Sequence, residues 1–220
     1  MRAVVFCGVS ISFEEARSHL DAVMLPPVKR GDIPRLLRGE EQPEYIGIVD
    51  GMFYQRAAVG HREILDAMRR GIRVYGAASM GALRASELHP YGMRGVGRIF
   101  RCYVEGDIES DEEVALVFDP ERYTPLSVPH VNVRYALKAA LREGLIDEVQ
   151  RRELLALSAS IYYPERTYEL LIRRGVEEGV IDVEDEHRLV EFLSQPRLDL
   201  KRLDAIEMLE RMRADMGVIG

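Results

Sequence analysis

The sequence predicts an α/β fold: a Rossmann-like parallel sheet in the N-terminal half, with a mostly helical C-terminal part. Three observations carry that expectation. Short apolar runs at residues 2–6, 45–49 and 72–75 alternate with amphipathic helical stretches. Each run ends in small or polar residues. Beyond Pro129 the apolar spacing becomes almost wholly helical.

The first run, Arg2 to Phe6, is a buried strand followed by Cys7-Gly8-Val9-Ser10. Ser12 and Glu15 have capping-box spacing, and Phe13, Ala16 and Leu20 share the helical face that follows. Pro26-Pro27 must end any helix there, because proline lacks an amide proton and clashes with the preceding turn. Tyr45 to Val49 is the second strand, closing in Asp50-Gly51, and a helix is expected from about Ala57 to Arg69 with Ile64 and Met68 inward. Ile72 to Tyr75 is the third strand, and Met80 to Leu88 is helical. Strand–helix alternation of this kind makes parallel, doubly covered sheets. Asp147 with Gln150, Pro164, and Asp182 with Asp185 mark later helix starts. The expected division is an α/β core over 1–125 and a helical region over 126–220, packed on or beside that core.

With 47% hydrophobic and 30% charged residues, the chain has the balance of an ordinary globule. Its net charge of −7 argues against a nucleic-acid surface, which needs a basic field. No apolar run nears the roughly 20 residues of a membrane span, so none is expected. The opening residues read as a strand rather than a signal peptide. Cys7 and Cys102 lack metal-ligand spacing, so a reduced, cytoplasmic setting is expected and no metal. Neither a P-loop nor a Rossmann glycine fingerprint is present, so no nucleotide or other cofactor is expected.

Ligands of parallel sheets bind beyond the carboxyl ends of the strands, which here carry Gly8, Ser10, Asp50, Gly51, Gly76 and Ser79. Ser79 lies between strand and helix in Gly76-Ala-Ala-Ser79-Met-Gly81, with small residues two before and two after it. That spacing imitates a nucleophile elbow, which lifts a hydroxyl above the sheet. Ser79 is either a nucleophile or simply the cap of the next helix. His61, near the start of the helix after strand two, is the best-placed base, with Asp50 to orient it. Each also has a plainer reading, His61 as a helix-start residue and Asp50 as a turn former. Arg84 either binds a carboxylate over the mouth or pairs with Glu87 three residues on. Glu63 is out of phase with His61. The acidic segment 105–113 lacks calcium-loop spacing and reads as a solvated face, and Cys7 reads as a buried thiol.

Taken in order, Pro26-Pro27 with Gly31-Asp32, Ile48-Val-Asp50-Gly51-x-Phe53 and Val59-x-His61-x-Glu63-Ile-Leu resemble the TfuA core pattern. So do Gly76-Ala-Ala-Ser79-Met-Gly-Ala-Leu-Arg84-Ala-x-Glu87-Leu, Gly92-Met-x-Gly95-Val-Gly97, Asp111-Glu-Glu113 and Val131-Asn132-x-Arg134. Where the family usually opens with Gly-Pro-Ser or Gly-Pro-Thr, this chain has Cys7-Gly8-Val9-Ser10. The resemblance implies a partner of a YcaO-type enzyme, which activates a backbone amide with ATP for attack by sulfide. It further implies that sulfur comes from the C-terminal thiocarboxylate of a ubiquitin-like carrier protein, for thioglycine in methyl-coenzyme M reductase or for peptide natural products. On that view Ser79, His61 and Asp50 are catalytic, and Arg84, Gly76, Gly51 and Glu63 contact substrate. The rival expectation is a scaffold that recruits the carrier and performs no chemistry.

Overall fold

A computed structural model describes residues 2–53 and 57–217. Among these, five strands form one all-parallel sheet. They are β1 (Ala3–Phe6), β2 (Val23–Leu25), β3 (Tyr45–Ile48), β4 (Arg73–Gly76) and β5 (Arg94–Gly95), in the order β2-β1-β3-β4-β5. The three expected strands are thus adjacent and parallel, with Ala3 opposite Tyr45 and Tyr45 opposite Arg73. The edge strands β2 and β5 were not foreseen, because three and two residues are too few to carry a period. Order reverses between β1 and β3, so the crevice outside their carboxyl ends is the topological switch point of the sheet.

Helices α1 (Phe13–His19), α2 (Asp32–Leu36), α3 (His61–Arg69), α4 (Met80–Leu88) and α5 (Arg98–Glu105) connect or flank the strands. Ser12 accepts a hydrogen bond from the Glu15 amide at 3.1 Å, which starts α1 where the capping spacing put it. The third helix begins at His61 rather than near Ala57. Gly60 is its extended N-cap, and Glu63 Oε1 accepts from the Gly60 amide at 3.1 Å, which fixes the first turn.

The chain divides into two compact units, residues 1–111 with 201–220, and residues 112–200. In the first unit, α2, α3 and α4 bury Ile33, Ile64, Met80 and Ala85 against one face of the sheet. The other face is covered by α1 and by α10 (Leu200–Asp215), through Ala16, Met208, Leu209 and Met212. Gly47 makes room for α10, since a Cβ there would stand 2.9 Å from Met212 Sδ. Tyr75 Oη and Arg94 Nη1 both donate to Asp215 Oδ2, at 2.6 and 2.7 Å, and tie down the helix end. The last helix therefore packs on the sheet, in the same compact unit as the strands.

The second unit holds α6 (His130–Arg142), α7 (Glu148–Ser160), α8 (Tyr168–Glu177) and α9 (Glu186–Leu193) around Leu137, Leu154, Leu171 and Leu189. Asp147 and Gln150 form the anticipated capping box of α7. Pro164 and Asp185 lie in short 3-10 turns, the second leading directly into α9.

Candidate active site

The turn from β4 into α4 is built by close backbone approach. A Cβ on Gly81 would stand 1.7 Å from the Ile48 carbonyl oxygen, and one on Gly76 would stand 2.2 Å from the Gly81 carbonyl oxygen. Both positions must therefore be glycine, and α4 starts hard against the end of β3. The Gly81 amide donates to Val49 at 3.2 Å and the Ala77 amide to Ile48 at 3.1 Å. Gly51 abuts the same helix, where a Cβ would meet Met80 Cγ at 2.7 Å. Gly51 and Gly76 are thus positions where the protein's own atoms fill the space next to the backbone.

Ser79 is the N-cap of α4 and is 2% exposed, yet its side chain makes no capping hydrogen bond. Ser79 thus occupies the cap position without its hydroxyl capping the helix. Strain sits one residue earlier than an elbow serine would carry it. Ala78 has φ 64°, a left-handed conformation that costs a non-glycine residue about 1–2 kcal/mol, whereas Ser79 has φ −112°. Sequence spacing located the tight turn but could not say which residue bears it.

Asp50 lies across the switch point and is 2% exposed. Its Oδ2 accepts from the Val9 and Ser10 amides at 3.0 and 2.9 Å, and its Oδ1 from the Ser10 hydroxyl at 2.6 Å. This carboxylate holds the loop after β1. Among the described residues it makes no hydrogen bond to His61.

His61 opens α3, and its Nε2 lies 2.8 Å from Glu87 Oε2. Arg84 Nη1 donates to the same oxygen at 2.6 Å, while Arg84 Nε donates to the Val59 carbonyl at 3.0 Å. Glu87 is eight residues beyond Ser79, about 12 Å along the helix at 1.5 Å per residue. Ser79 and the His61–Glu87–Arg84 cluster therefore occupy different turns of α4, and no hydrogen bond joins His61 to Ser79 among the described residues. Arg84 adopts the pairing with Glu87 that its spacing allowed. Glu87 as the partner of His61 was missed, because the contact crosses from α3 to α4 and has no local signature.

Glu63 bridges two loops, with Oε2 accepting from the Gly31 amide at 2.8 Å and Oε1 from Gly60. Cys7 is fully buried, and burial, reinforced by the negative charge of Asp50, pushes its thiol up to about 12. It stays protonated and inert as a nucleophile. Glu113, from the acidic segment, is gripped by Arg134 through Nε and Nη2, the shortest contact being 2.7 Å. No group of three or more His, Cys, Asp or Glu side chains is arranged to hold a metal ion among the described residues. A cleft of roughly 520 Å³ lies at Phe6, Leu25, Pro26, Pro27 and Leu36, and none of the candidate site residues lines it. No described helix is long and apolar enough to cross a membrane.

A family model described as TfuA-like protein matches residues 50–167, which includes Asp50, His61, Ser79, Arg84 and Glu87. No curated protein matches the chain significantly.

Proposed function

We propose a function from one premise: this chain belongs to the TfuA-like family, whose model covers more than half of it. It is accordingly an accessory protein of thioamide formation, beside a YcaO-type enzyme. Its own part, on our reading, is to hydrolyse the C-terminal thiocarboxylate of a ubiquitin-like sulfur carrier and so supply sulfide. The observation that carries this is Ser79: a buried serine on a tight strand-to-helix turn, at the carboxyl edge of a parallel sheet, with no capping bond to occupy it.

The Ser79 hydroxyl adds to the thiocarboxylate carbon, the C–S bond breaks, and sulfide leaves an acyl ester on the serine. Water then cleaves that ester, so one thiocarboxylate anion and one water give one carboxylate and one hydrogen sulfide. An anionic thiocarboxylate resists attack, and the Arg84 guanidinium offsets that charge. His61 is assigned to the water-dependent half of the reaction as base. Gly51 and Gly76 serve by setting the backbone around the serine, and Glu63 by holding the loops at Gly31 and Gly60. Asp50 serves by fixing the loop after β1.

The test is to mix the purified protein with a carrier bearing a C-terminal thiocarboxylate, without any YcaO enzyme, and to measure sulfide. Release that is lost in Ser79→Ala supports the hydrolase. One observation favours the scaffold reading instead: neither His61 nor Asp50 is hydrogen-bonded to Ser79. On that reading the carrier binds and no sulfide appears until the YcaO enzyme is added.

A further inference from the structure

We propose that Glu87 is the positioning residue of His61, holding the imidazole as its Nε2–H tautomer so that Nδ1 is the proton-accepting atom. The catalytic consequence rests on the hydrolase reading above. Sequence order pointed to Asp50 for this task, but all three of that residue's side-chain contacts are spent on Val9 and Ser10.

Glu87 Oε2 lies between two donors, Arg84 Nη1 at 2.6 Å and His61 Nε2 at 2.8 Å. A guanidinium only donates, and an ionised carboxylate only accepts. The oxygen therefore receives from both sides, and Nε2 must carry the hydrogen. A neutral imidazole has one N–H, which leaves the lone pair on Nδ1.

The arrangement is also closed. Arg84 Nε donates to the carbonyl of Val59, two residues before His61, so Val59, Arg84, Glu87 and His61 form a cycle joining the start of α3 to α4. The cycle is sheltered at one end and open at the other. The Arg84 side chain is 13% exposed, while those of Glu87 and His61 are 38% and 48% exposed. An anchored guanidinium fixes the carboxylate, and the carboxylate fixes a ring that a macromolecular substrate can still reach. A surface ion pair that merely joined two helices would be nearly neutral to remove and would leave catalysis alone.

The experiment compares wild type, Glu87→Ala, His61→Ala and Ser79→Ala. Its readouts are ¹⁵N imidazole spectra and steady-state sulfide release from a thiocarboxylate-bearing carrier protein. The wild-type His61 signals should be those of the Nε2–H form, and Glu87→Ala should give a mixture of both tautomers. Glu87→Ala should also lower kcat about tenfold or more, with KM within about threefold. Its melting temperature should stay within about 4 °C of wild type. If Glu87→Ala leaves the tautomer or kcat unchanged while His61→Ala and Ser79→Ala abolish release, the positioning role is wrong and the hydrolase stands. Release abolished by Ser79→Ala but kept by His61→Ala removes His61 from the reaction, and the proposal with it. A wild-type protein that releases no sulfide overturns both readings.

Discussion

Both units of this protein bury polar side chains, but they satisfy them with different partners. In the sheet unit, Asp50, Glu63, Arg84 and Glu87 each meet two or more partners, and those partners are mainly loop amides and carbonyls at one edge of the sheet. In the helical unit, the buried polar groups include a histidine and an arginine. His130 is 5% exposed with Nδ1 3.1 Å from the fully buried Ser158 hydroxyl, and Arg166 is 4% exposed. Arg166 Nε and Nη2 donate to the Ser158 and Ile161 carbonyls, but its buried Nη1 meets no partner among the described residues. The sheet unit spends buried carboxylates, Asp50 and Asp204, on the amides of Val9, Ser10, Arg98 and Ile99. The helical unit instead buries a histidine and an arginine against one serine and two carbonyls, and in both units burial makes an unpaired polar group costly.

A matched pair of serine changes gives the largest expected contrast. Ser79→Ala should reduce sulfide release by about three orders of magnitude or more while barely moving the melting temperature, since no capping bond is lost. Ser158→Ala should do the reverse, leaving release intact and destabilising the helical unit by about 1–3 kcal/mol through an unsatisfied His130. Kinetics and calorimetry on both variants check this, and equal stability losses would erase the distinction.

A pair of glycine changes follows. Gly81→Ala drives a Cβ into the Ile48 carbonyl and should cost the sheet unit about 3 kcal/mol. Gly144→Ala meets nothing within 4 Å and suffers only from φ 70°, at about 1 kcal/mol. Urea unfolding of each variant, with amide exchange resolved by unit, separates the two costs.

Acid should also divide the units. Burial outweighs the nearby Glu113 charge and lowers His130 to about 4, below its ordinary 6.5. The unfolded chain then binds more protons between those values. The contribution is full above pH 6.5 and falls by up to about 3 kcal/mol as pH drops through 4. Asp204 in the sheet unit has the opposite sign. Burial raises it to about 6 despite the amides of Ile99 and Arg98, so its contribution is full below about 3.8 and declines as pH rises through 6. Amide exchange at pH 7 and pH 4.5 should show protection falling in residues 112–200 first. Asp204→Asn should flatten the sheet unit's slope.

The smallest effect is expected at Arg84. Lysine keeps the charge but cannot bond both Val59 and Glu87 as a planar fork does. Arg84→Lys should weaken carrier affinity in calorimetry, and Arg84→Ala should weaken it further, with stability falling by about 1 kcal/mol or less. Unchanged affinity with a large stability loss would make Arg84 a structural tie only.

The parallel strands 3–6, 45–48 and 73–76, the capping of α1 and α7, and a tight turn bearing Ser79 were legible from the residues alone. These features are local: a buried run, a cap three residues from its partner, a serine flanked by residues too small to obstruct. The rest depends on contacts between residues far apart along the chain. Edge strands of two and three residues carry no period and exist because a neighbouring strand pairs with them. Helix α10, some 200 residues from β1, joins the sheet because its methionines fill a face that α1 alone leaves uncovered. Asp50 took Val9 and Ser10 as partners and His61 took Glu87, choices set by which side chains converge once α3 and α4 dock. Residue type and spacing say that a carboxylate can hold a histidine. Which carboxylate does so depends on distances that exist only after the chain has folded.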